Sequence, residues 1–595
     1  MNASTLPQAE YDRRIAVIGH RIAAGERRHL LLSNLRLVVF AIGAAVAWLA
    51  FIQARITPAW LGVPLLLFAV LMVVHARVLN ANDRLLRARR FYERGLSRIA
   101  GTWAGSGPDG DGYAGTHPYA RDLDLFGPGS LFQLLDTART EAGEATLADW
   151  LKTPAPRAEV LARQHAVDEL RPNVDFREAL AVLAAEAHVS RTGVLMRWAN
   201  TEPVGLTSTH AALFAACAGM TSALCAALAA GWMSMWPLLA WLVVAAGVAT
   251  ANRTAVWRAI RAADSAADDL VLLEALLVRL EREPFTAERL SVLRAHFDGD
   301  VLPSQRLAHL RRLIATRDIL RNELARPFGL LLFVRSQAAV AIDRWHQAHR
   351  HRLAAWLQAI GEVEALSSLA TYAYEHPADP FPVVVEGAAQ FRAAGLAHPL
   401  LDARVAVPND VALGADAPHV LIVSGSNMSG KSTLLRAVGT NAVLALAGAP
   451  VRATSLTLST LAIAASIRVE DSLQHGHSRF YSEILRIRDI VQLSEAPTPV
   501  LFLLDEILHG TNSHDRRLGA EAVVRTLAAA GAIGFVTTHD LALTTFADAL
   551  AVPTRNVHFE DVIENGTMRF DYRMREGVVE RSNAIELMRS VGIRV

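Results

Sequence analysis

The residues of this chain best suited to chemistry form a glycine-rich loop, GSNMSGKST, which runs from Gly425 to Thr433. The loop fits the pattern Gly-x-x-x-x-Gly-Lys-[Ser/Thr] at every fixed position. Glycines let the backbone curl around an anion, and the N–H groups of the following helix attract that anion. We expect Lys431 to neutralise the outer phosphates of a nucleotide and the Ser432 hydroxyl to bind Mg2+. The predicted nucleotide-binding residues are Gly425, Asn427, Gly430, Lys431, Ser432 and Thr433.

Three further polar residues each follow an apolar run. Asp505 and Glu506 come directly after VLFLL, and His539 follows AIGFVTT. The aspartate can hold Mg2+ through water, and the glutamate can orient or deprotonate an attacking water. An acidic pair is otherwise an ordinary strand end, and a lone histidine is more often structural. Beside a phosphate loop these residues predict ATP hydrolysis, with His539 sensing the γ-phosphate. The predicted catalytic residues are Lys431, Glu506 and His539, and the predicted Mg2+ ligands are Ser432 and Asp505.

Buried strands and one helix must position these groups. The runs VLIV at 420–423 and VLFLL at 500–504 are wholly apolar, as expected of central parallel strands. Leu434, Leu435 and Val438 follow the loop at helical spacing. We therefore predict an α/β domain with a mostly parallel sheet over residues 385–595.

Several motifs around these residues carry a family resemblance. Besides the phosphate loop they include DSL at 471–473, GHSRF at 476–480 and DEILHGTN at 505–512. Together they resemble the ATPase of the MutS family of DNA mismatch repair proteins. Further similar segments are GLAHPL at 395–400 and VPND at 407–410, at the entry of that ATPase, and NVH at 556–558 and Ser582 at its exit.

The resemblance implies a cassette like that of ABC ATPases, with two composite sites for ATP and Mg2+ at the interface of a homodimer. It also implies that Ser478 is catalytic in trans, reaching the γ-phosphate bound to the partner subunit. His539 would sense the γ-phosphate within its own subunit.

The sequence departs from the family pattern beside the site. Arg479 stands where threonine is usual, and Leu508-His509 stand where Gly-Arg is usual. An aromatic-Gly pair is replaced by Asn583-Ala584. These departures leave the phosphate chemistry intact, bear on the geometry between subunits and indicate a divergent branch.

A second region of resemblance covers roughly residues 120–180. SLFQLLD at 130–136 is similar to the start of the MutS core domain, and the helical stretch that follows fits the family's lever by pattern. Members that read mismatches carry a Phe-x-Glu wedge. The tripeptide Phe91-Tyr92-Glu93 lies in an arginine-rich helical stretch, and we interpret it as a chance match. We therefore expect a branch that lacks the mismatch-recognition domain.

The composition is unusually apolar. Hydrophobic residues make up 52% of the chain and charged residues 20%, against about 25% charged in typical soluble domains. Uncharged runs occupy 37–52, 58–74, 211–232 and 236–250. The third is long enough to span a bilayer, and the others lie at or just below the required length of about 17–25 residues. We predict two transmembrane helical hairpins, with two hairpins buried in a soluble core as the alternative.

The placement of arginines supports insertion. They precede the first and third runs and follow the second and fourth, whereas the loops inside the hairpins hold only Arg55. Under the positive-inside rule, both hairpins enter from the cytoplasm and both termini remain there. The predicted location is therefore the inner (cytoplasmic) membrane. The arginine-rich stretch 76–98 either contacts anionic lipid head groups or sets the topology.

Charge and residue counts argue against several other classes. The 59 basic and 58 acidic residues give a net charge of +1, which offers no nucleic-acid footprint. Cys217 and Cys225 lie about 12 Å apart on one helix, too far for a disulfide, and two cysteines are too few for a zinc site. Histidines near the ATPase loops show no helical i, i+4 ligand spacing with an acidic partner, so we interpret them as surface or interface residues rather than ligands. They are His475, His477, His509 and His514.

The predicted organisation is an N-terminal hairpin region (1–100), a flexible linker (101–118), a helical core and lever (119–384) and the ATPase (385–595). We predict a membrane-associated, ATP-driven dimeric clamp related to DNA mismatch repair proteins, which acts on mismatched or branched DNA. The alternative is a mechanochemical module that acts on a protein or lipid partner and has no DNA role. The resemblance favours the first hypothesis, whereas the neutral charge, the missing wedge and the apolar runs favour the second.

Overall fold

The structure, a computed structural model, has a helix-rich N-terminal part and a mixed α/β C-terminal part. It describes residues 5–184, 192–265, 267–319, 326–426, 429–468, 479–539, 544, 547, 550, 552–564 and 567–579. The helices of the first part are α1 (Thr5–Ala47), α2 (Gly62–Ile99), α3 (Leu131–Leu135), α4 (Glu141–Lys152), α5 (Arg157–Leu170), α6 (Val174–Ala184), α7 (Thr192–Asn200), α8 (Ser208–Ala229), α9 (Met235–Ala251), α10 (Arg253–Asp264), α11 (Ala267–Glu281), α12 (Glu288–Ala295), α13 (Pro303–Ile319), α14 (Arg326–Leu331) and α15 (Val334–Glu375).

The C-terminal part contains two sheets. One has the strand order β1-β5-β2-β3 and the other β10-β9-β4-β8-β7-β6. The strands and helices are β1 (Val383–Val385), β2 (Gln390–Leu396), β3 (Asn409–Gly414), β4 (Val420–Ser424), α16 (Lys431–Ala447), β5 (Ser455–Ser459), β6 (Ala462–Ser466), α17 (Arg479–Ser494), β7 (Val500–Leu504), α18 (Ser513–Ala529), β8 (Ile533–Thr538), β9 (Thr554–Glu564) and β10 (Thr567–Glu576).

The centre of the six-stranded sheet consists of β4, β8 and β7, which are buried along their whole length. Strand β8 pairs in parallel with both β4 and β7, and the β9–β10 hairpin is antiparallel. The sheet is therefore mostly parallel, as predicted. Ser424 and Thr538 are partners in register. Because parallel strands end at the same edge of a sheet, the segments that follow β4, β7 and β8 must meet there.

Helix α15 is the main support of the helical part. Its C-terminal half is buried, and it contacts α4, α5, α7, α10 and α13. Gly361 permits a close approach of α15 to α4, because a Cβ atom there would lie 2.7 Å from the backbone carbonyl of Ala142. The helix ends shortly before β1 and so joins the two parts of the molecule.

The hairpin of α1 and α2 is fastened to the end of α15. The Arg98 guanidinium donates to both carboxylate oxygens of Glu375 at 2.6 Å, and the Tyr11 hydroxyl donates to the same carboxylate at 3.2 Å. Phe91 and Tyr92 are buried in the cluster that surrounds this contact. The Phe-x-Glu tripeptide therefore serves packing, which is consistent with a chance match to the wedge.

Long apolar helices extend from this body. Among the described residues, the helical stretches Leu6–Ile52, Pro58–Ile99 and Ser208–Ala229 are long and apolar enough to cross a membrane. A fourth span is obtained if α9 and α10, which are bent by 56°, count as one. Many large apolar side chains on them are exposed, as at Leu66, where the exposed fraction is 69%. The predicted hairpin helices are thus present, and α1 and α2 extend well beyond the apolar runs.

The segment 101–118 differs from the predicted flexible linker. Trp103 is buried in the main core, the Gly105 N–H donates to Oε1 of Gln133 at 2.9 Å, and the Tyr113 ring packs against Phe132. The glycines of this segment form turns that fit closely against α3. A high number of glycines predicts a spacer, but sequence composition does not distinguish glycine turns that pack against the protein from those that do not.

Asp136, at the end of α3, is a buried carboxyl. Its Oδ1 accepts from the Ala138 N–H at 3.0 Å, while Oδ2 has no hydrogen-bond partner within the described part of the chain. Burial raises the pKa of Asp136 to about 8, with Glu144 and Glu364 adding to the rise and Arg139 opposing it. The native state keeps a proton that the unfolded chain releases near pH 3.8. This carboxyl therefore destabilises the native state increasingly as the pH rises from 3.8 to about 8.

We expect Asp136→Asn to lose less stability than the wild type between about pH 5 and about pH 8, because it removes a carboxyl that must stay protonated. The difference should be about 1 kcal/mol or more, measured from thermal unfolding of both proteins at each pH. Some pH dependence should persist, because burial also raises the pKa values of Glu144 and Glu364. Identical pH dependence in the two proteins would contradict the prediction.

Candidate active site

The glycine-rich loop leaves β4 and leads into α16, which begins at Lys431. Gly430, the residue before the helix, has a φ of 108°, in a region that favours glycine. A Cβ atom there would also lie 3.1 Å from Cδ1 of Tyr572. The first N–H groups of α16 therefore face the sheet edge without an intervening side chain at this position.

The Lys431 side chain is buried at the base of this loop. Its Nζ donates to the carbonyl oxygens of Gly425 and Ser426, both at 2.8 Å. The same Nζ lies 3.6 Å from Oε1 of Glu506. One ammonium group thus contacts both the loop that follows β4 and the carboxylate that follows β7.

Asp505 follows β7 and accepts hydrogen bonds from α16 and from β8. The Ser432 hydroxyl donates to its Oδ2 at 2.5 Å, and the Thr537 hydroxyl donates to its Oδ1. Burial raises the pKa of Asp505 above its ordinary value, while the hydrogen bonds from Ser432 and Thr537 oppose that rise. Hydroxyl and carboxylate oxygens are the donors that Mg2+ prefers, so Ser432 and Asp505 fit the predicted metal position.

Glu506 lies in a tight turn that aims its side chain at the sheet edge. Its φ is 48°, and its N–H donates to the Thr537 hydroxyl oxygen at 3.0 Å. Leu508 also has a left-handed φ, of 59°, and its N–H donates to the buried carboxylate of Glu483 at 2.5 Å. Such backbone conformations cost about 1–3 kcal/mol each and persist where the surroundings enforce them. Nδ1 of His539, after β8, lies 3.6 Å from Oε1 of Glu506.

A cavity of about 650 Å³ opens beside these groups. Lys431, Ser432 and the predicted residue Thr433 line it, together with His398 and Tyr572. The loop hydroxyls of Ser426 and Ser429 are buried and have no hydrogen-bond partner in the part of the chain described. Unpartnered donors at a helix N-terminus fit an anion such as a nucleotide phosphate.

His398 contributes a neutral wall to this cavity. Burial lowers the pKa of His398 to about 4, and the charge of Arg436 adds to the effect. The Leu400 N–H donates to its Nδ1 at 3.2 Å. The ring is therefore uncharged at neutral pH and presents a flat, uncharged surface beside the cavity.

Most of the predicted site residues converge in the structure. Lys431, Ser432, Asp505, Glu506 and His539 come together from three strand ends. Asn427 and Ser478 lie outside the described residues.

Sequence reasoning missed several residues that shape the site. Thr537 bridges Asp505 and Glu506, whereas the sequence predicts it only as part of a strand. A polar residue near the carboxyl end of a predicted strand, as Thr537 is in β8, was the sequence signal that could have indicated a role in the site. Tyr572 reaches the cavity through the β9–β10 hairpin, and no sequence signal marked it.

His509 is a surface residue, as interpreted from the sequence, but it has an acidic neighbour that its spacing did not indicate. Its side chain is 44% exposed, but Nε2 lies 3.4 Å from Oε2 of Glu506. Its ring centroid is 4.6 Å from that of His539. The partners come from a tight turn and a separate strand, which helical spacing could not reveal.

Comparison with known proteins supports one family. Residues 421–594 match MutS domain V. Endonuclease MutS2 of Thermomicrobium roseum is 37% identical over 199 residues, or 33% of this chain and 24% of that protein. DNA mismatch repair protein MutS of Shouchella clausii is 33% identical over 240 residues, or 39% of this chain and 27% of that protein. DNA mismatch repair protein MutS 2 of Halobacterium salinarum is 31% identical over 270 residues, or 45% and 30%.

The chain thus spans 24% to 30% of the length of these three relatives. The matched region contains the glycine-rich loop after β4 and the residues that follow β7 and β8. Through residues 421–594, the chain shares a domain with the MutS family.

Proposed function

We propose that this chain hydrolyses ATP at the carboxyl edge of its six-stranded sheet, in a nucleotide-binding cassette of the ABC type. The convergence of Lys431, Ser432, Asp505 and Glu506 carries the proposal. An ammonium, a hydroxyl and two carboxylates within a few ångströms of a helix N-terminus suit a nucleoside triphosphate.

Each residue has a role that follows from its position. Lys431 exchanges the carbonyl oxygens of the loop for the phosphate oxygens of ATP, and the α16 N-terminus binds the same phosphates. Mg2+ held by Ser432 and Asp505 would neutralise charge on the phosphates. Glu506 orients and deprotonates the attacking water, and His539 contacts the γ-phosphate. Thr537 keeps Asp505 and Glu506 in place through its two hydrogen bonds.

Substitutions at two positions separate ATP binding from turnover. Lys431→Ala should abolish both, because the phosphates lose their buried cation. Glu506→Gln should still bind ATP but turn it over at least about 100-fold more slowly, because the amide cannot accept the proton. Fluorescence titration with a nucleotide measures binding, and the release of inorganic phosphate measures turnover.

Glu521→Gln on α18 is the matched control, since Glu521 pairs with Arg525 on the surface. Its turnover should equal that of the wild type. With ATP, Glu506→Gln should also accumulate a closed dimer in light scattering, because the proposed homodimer opens only after hydrolysis. Normal turnover by Glu506→Gln would refute the role assigned to this glutamate.

We further propose that the α1–α2 and α8–α9 hairpins are inserted in the inner (cytoplasmic) membrane from the cytoplasmic side. The exposed apolar side chains of these helices support this proposal, since a surface such as that of Leu66 and Val243 is costly in water. The arginines that follow α9, Arg253 and Arg258, support the orientation.

The full-length chain should therefore float with liposomes in a density gradient after washes at high salt and at alkaline pH. It should be released only by detergent, because apolar helices are held by the lipid hydrocarbon rather than by charge. Release by salt or alkali would indicate that the hairpins do not span a bilayer.

Two clients remain candidates. The relatives named as DNA mismatch repair proteins favour mismatched or branched DNA. The exposed apolar helices favour a protein or lipid partner at the membrane, with no DNA role. In both cases, closure of the dimer acts on the client only to the extent that the client's affinity differs between the open and closed forms of the dimer.

ATP turnover in lipid nanodiscs should distinguish the clients. We expect stimulation by mismatched or four-way-branched DNA over homoduplex DNA, and this stimulation should weaken as salt rises, because phosphate contacts release counterions. The same DNAs with Lys431→Ala provide the background. A rate that is indifferent to all three DNAs would support the membrane partner instead.

A further inference from the structure

Three side chains with metal-binding atoms converge at the outer side of the proposed catalytic site. They are Glu506, His509 and His539, whose ligand atoms all lie within 4.8 Å of one another. Nε2 of His509 is 3.4 Å from one carboxylate oxygen of Glu506, and Nδ1 of His539 is 3.6 Å from the other. The two rings therefore flank one carboxylate.

The backbone fixes this arrangement. Glu506 and Leu508 both have left-handed φ values, so the turn after β7 carries His509 back toward Glu506. The Leu508 N–H is anchored by the buried carboxylate of Glu483, and the Glu506 N–H is anchored by Thr537 on β8. His539 directly follows β8, which is the neighbour of β7 in the sheet.

We propose that Glu506, His509 and His539 bind a divalent transition-metal ion, with Zn2+ as the best match. Zn2+ binds imidazole nitrogen and carboxylate oxygen at about 2.0–2.2 Å, which places tetrahedral ligand atoms about 3.3–3.6 Å apart. Each separation from a histidine to Glu506 lies close to this range, although the two involve different carboxylate oxygens. The three ligand atoms, one from each residue, lie within 4.8 Å of one another, so side-chain rotations that shift them by about 1 Å would bring them onto one ion. Both histidines are exposed enough for an ion to enter from solvent, and water completes the coordination.

This site differs in chemistry from the Mg2+ position at Ser432 and Asp505. Two imidazoles and one carboxylate favour Zn2+, Ni2+, Cu2+ or Co2+, whereas Mg2+ prefers oxygen ligands. A cellular excess of Mg2+ therefore does not compete for it. The preference for a transition metal depends on His509, which supplies the second imidazole. Without it, Glu506 and His539 would be an ordinary catalytic pair.

Occupancy of this site would inhibit turnover, an inference that rests on the proposed function. A carboxylate that coordinates Zn2+ is a weaker base, because the metal withdraws its negative charge, and it is no longer positioned to take a proton from the attacking water. His539 is likewise withdrawn from the γ-phosphate. ATP binding through Lys431 and Ser432 does not require either group and continues.

Binding is tested first, without ATP, on the full-length protein in nanodiscs with Co2+ as the probe. The wild type should show the visible absorption bands of protein-bound Co2+, and Zn2+ should displace them. His509→Gln and His539→Gln should lose these bands, with a fall in affinity greater than the roughly 10–100-fold cost of losing an outer-shell partner. His509→Arg should behave in the same way, since a guanidinium has no lone pair to donate.

His514→Gln is the matched control, because this exposed histidine stands in the first turn of α18 outside the ligand group. It should keep the Co2+ bands of the wild type. Bands that survive in His509→Gln and His539→Gln would overturn the proposal, as would the absence of bands from the wild type.

Inhibition is tested next, with Mg2+ and ATP in excess and free Zn2+ held by a metal buffer. Zn2+ should inhibit the wild type and His514→Gln, and His509→Gln should resist it at least about tenfold better. Equal inhibition of His509→Gln would overturn the inhibitory role. If no variant hydrolyses ATP but the Co2+ bands depend on His509, the metal site stands and the proposed ATPase function fails.

Discussion

Parallel hydrogen bonding among β4, β8 and β7 is the constraint on which the rest of the structure depends. These buried strands run parallel, so their carboxyl ends lie at one edge of the sheet. The charged groups of the candidate site lie in the segments that follow those ends, and Thr537 lies one residue before the end of β8. The glycine-rich loop, the Asp505–Glu506 pair and His539 need no further folding signal to meet, because the register of the sheet brings them together.

The helical part is linked to this edge through a short segment between α15 and β1. Arg98 and Tyr11 of the α1–α2 hairpin hold Glu375. A few residues later Asp379 accepts from the Tyr372 hydroxyl at 3.1 Å and from the Arg452 guanidinium at 3.0 Å. The Arg452 N–H in turn donates to Asn441 on α16. The hairpin and the helix that follows the glycine-rich loop are therefore anchored to the same few residues.

The sequence allowed much of this to be predicted, since apolar runs of strand length and a phosphate-loop pattern are local signals. The helices of both hairpins were visible for the same reason. The role of Thr537 depends on strand order, and the proximity of Tyr572 to the cavity depends on the pairing of a distant hairpin. His509 could not be placed because left-handed conformations at Glu506 and Leu508 are properties of the folded turn. The packing of 101–118 was missed because glycine counts report backbone freedom and not what the backbone touches.

The length of α2 has a consequence for where the proposed ATPase would operate. A bilayer has a hydrocarbon core about 30 Å thick, and the apolar run of this helix ends before Arg77. The rest, from Arg77 to Ile99, continues without a break and extends about 33 Å at the rise of an α-helix. If α2 is inserted as proposed, this stretch would be a stalk whose last turns pack around Phe91 and Tyr92 and which ends at the Arg98–Glu375 contact. Because a stalk fixes distance as well as attachment, the nucleotide site would be held at a set height above the lipid surface, where only clients that reach that height can meet it.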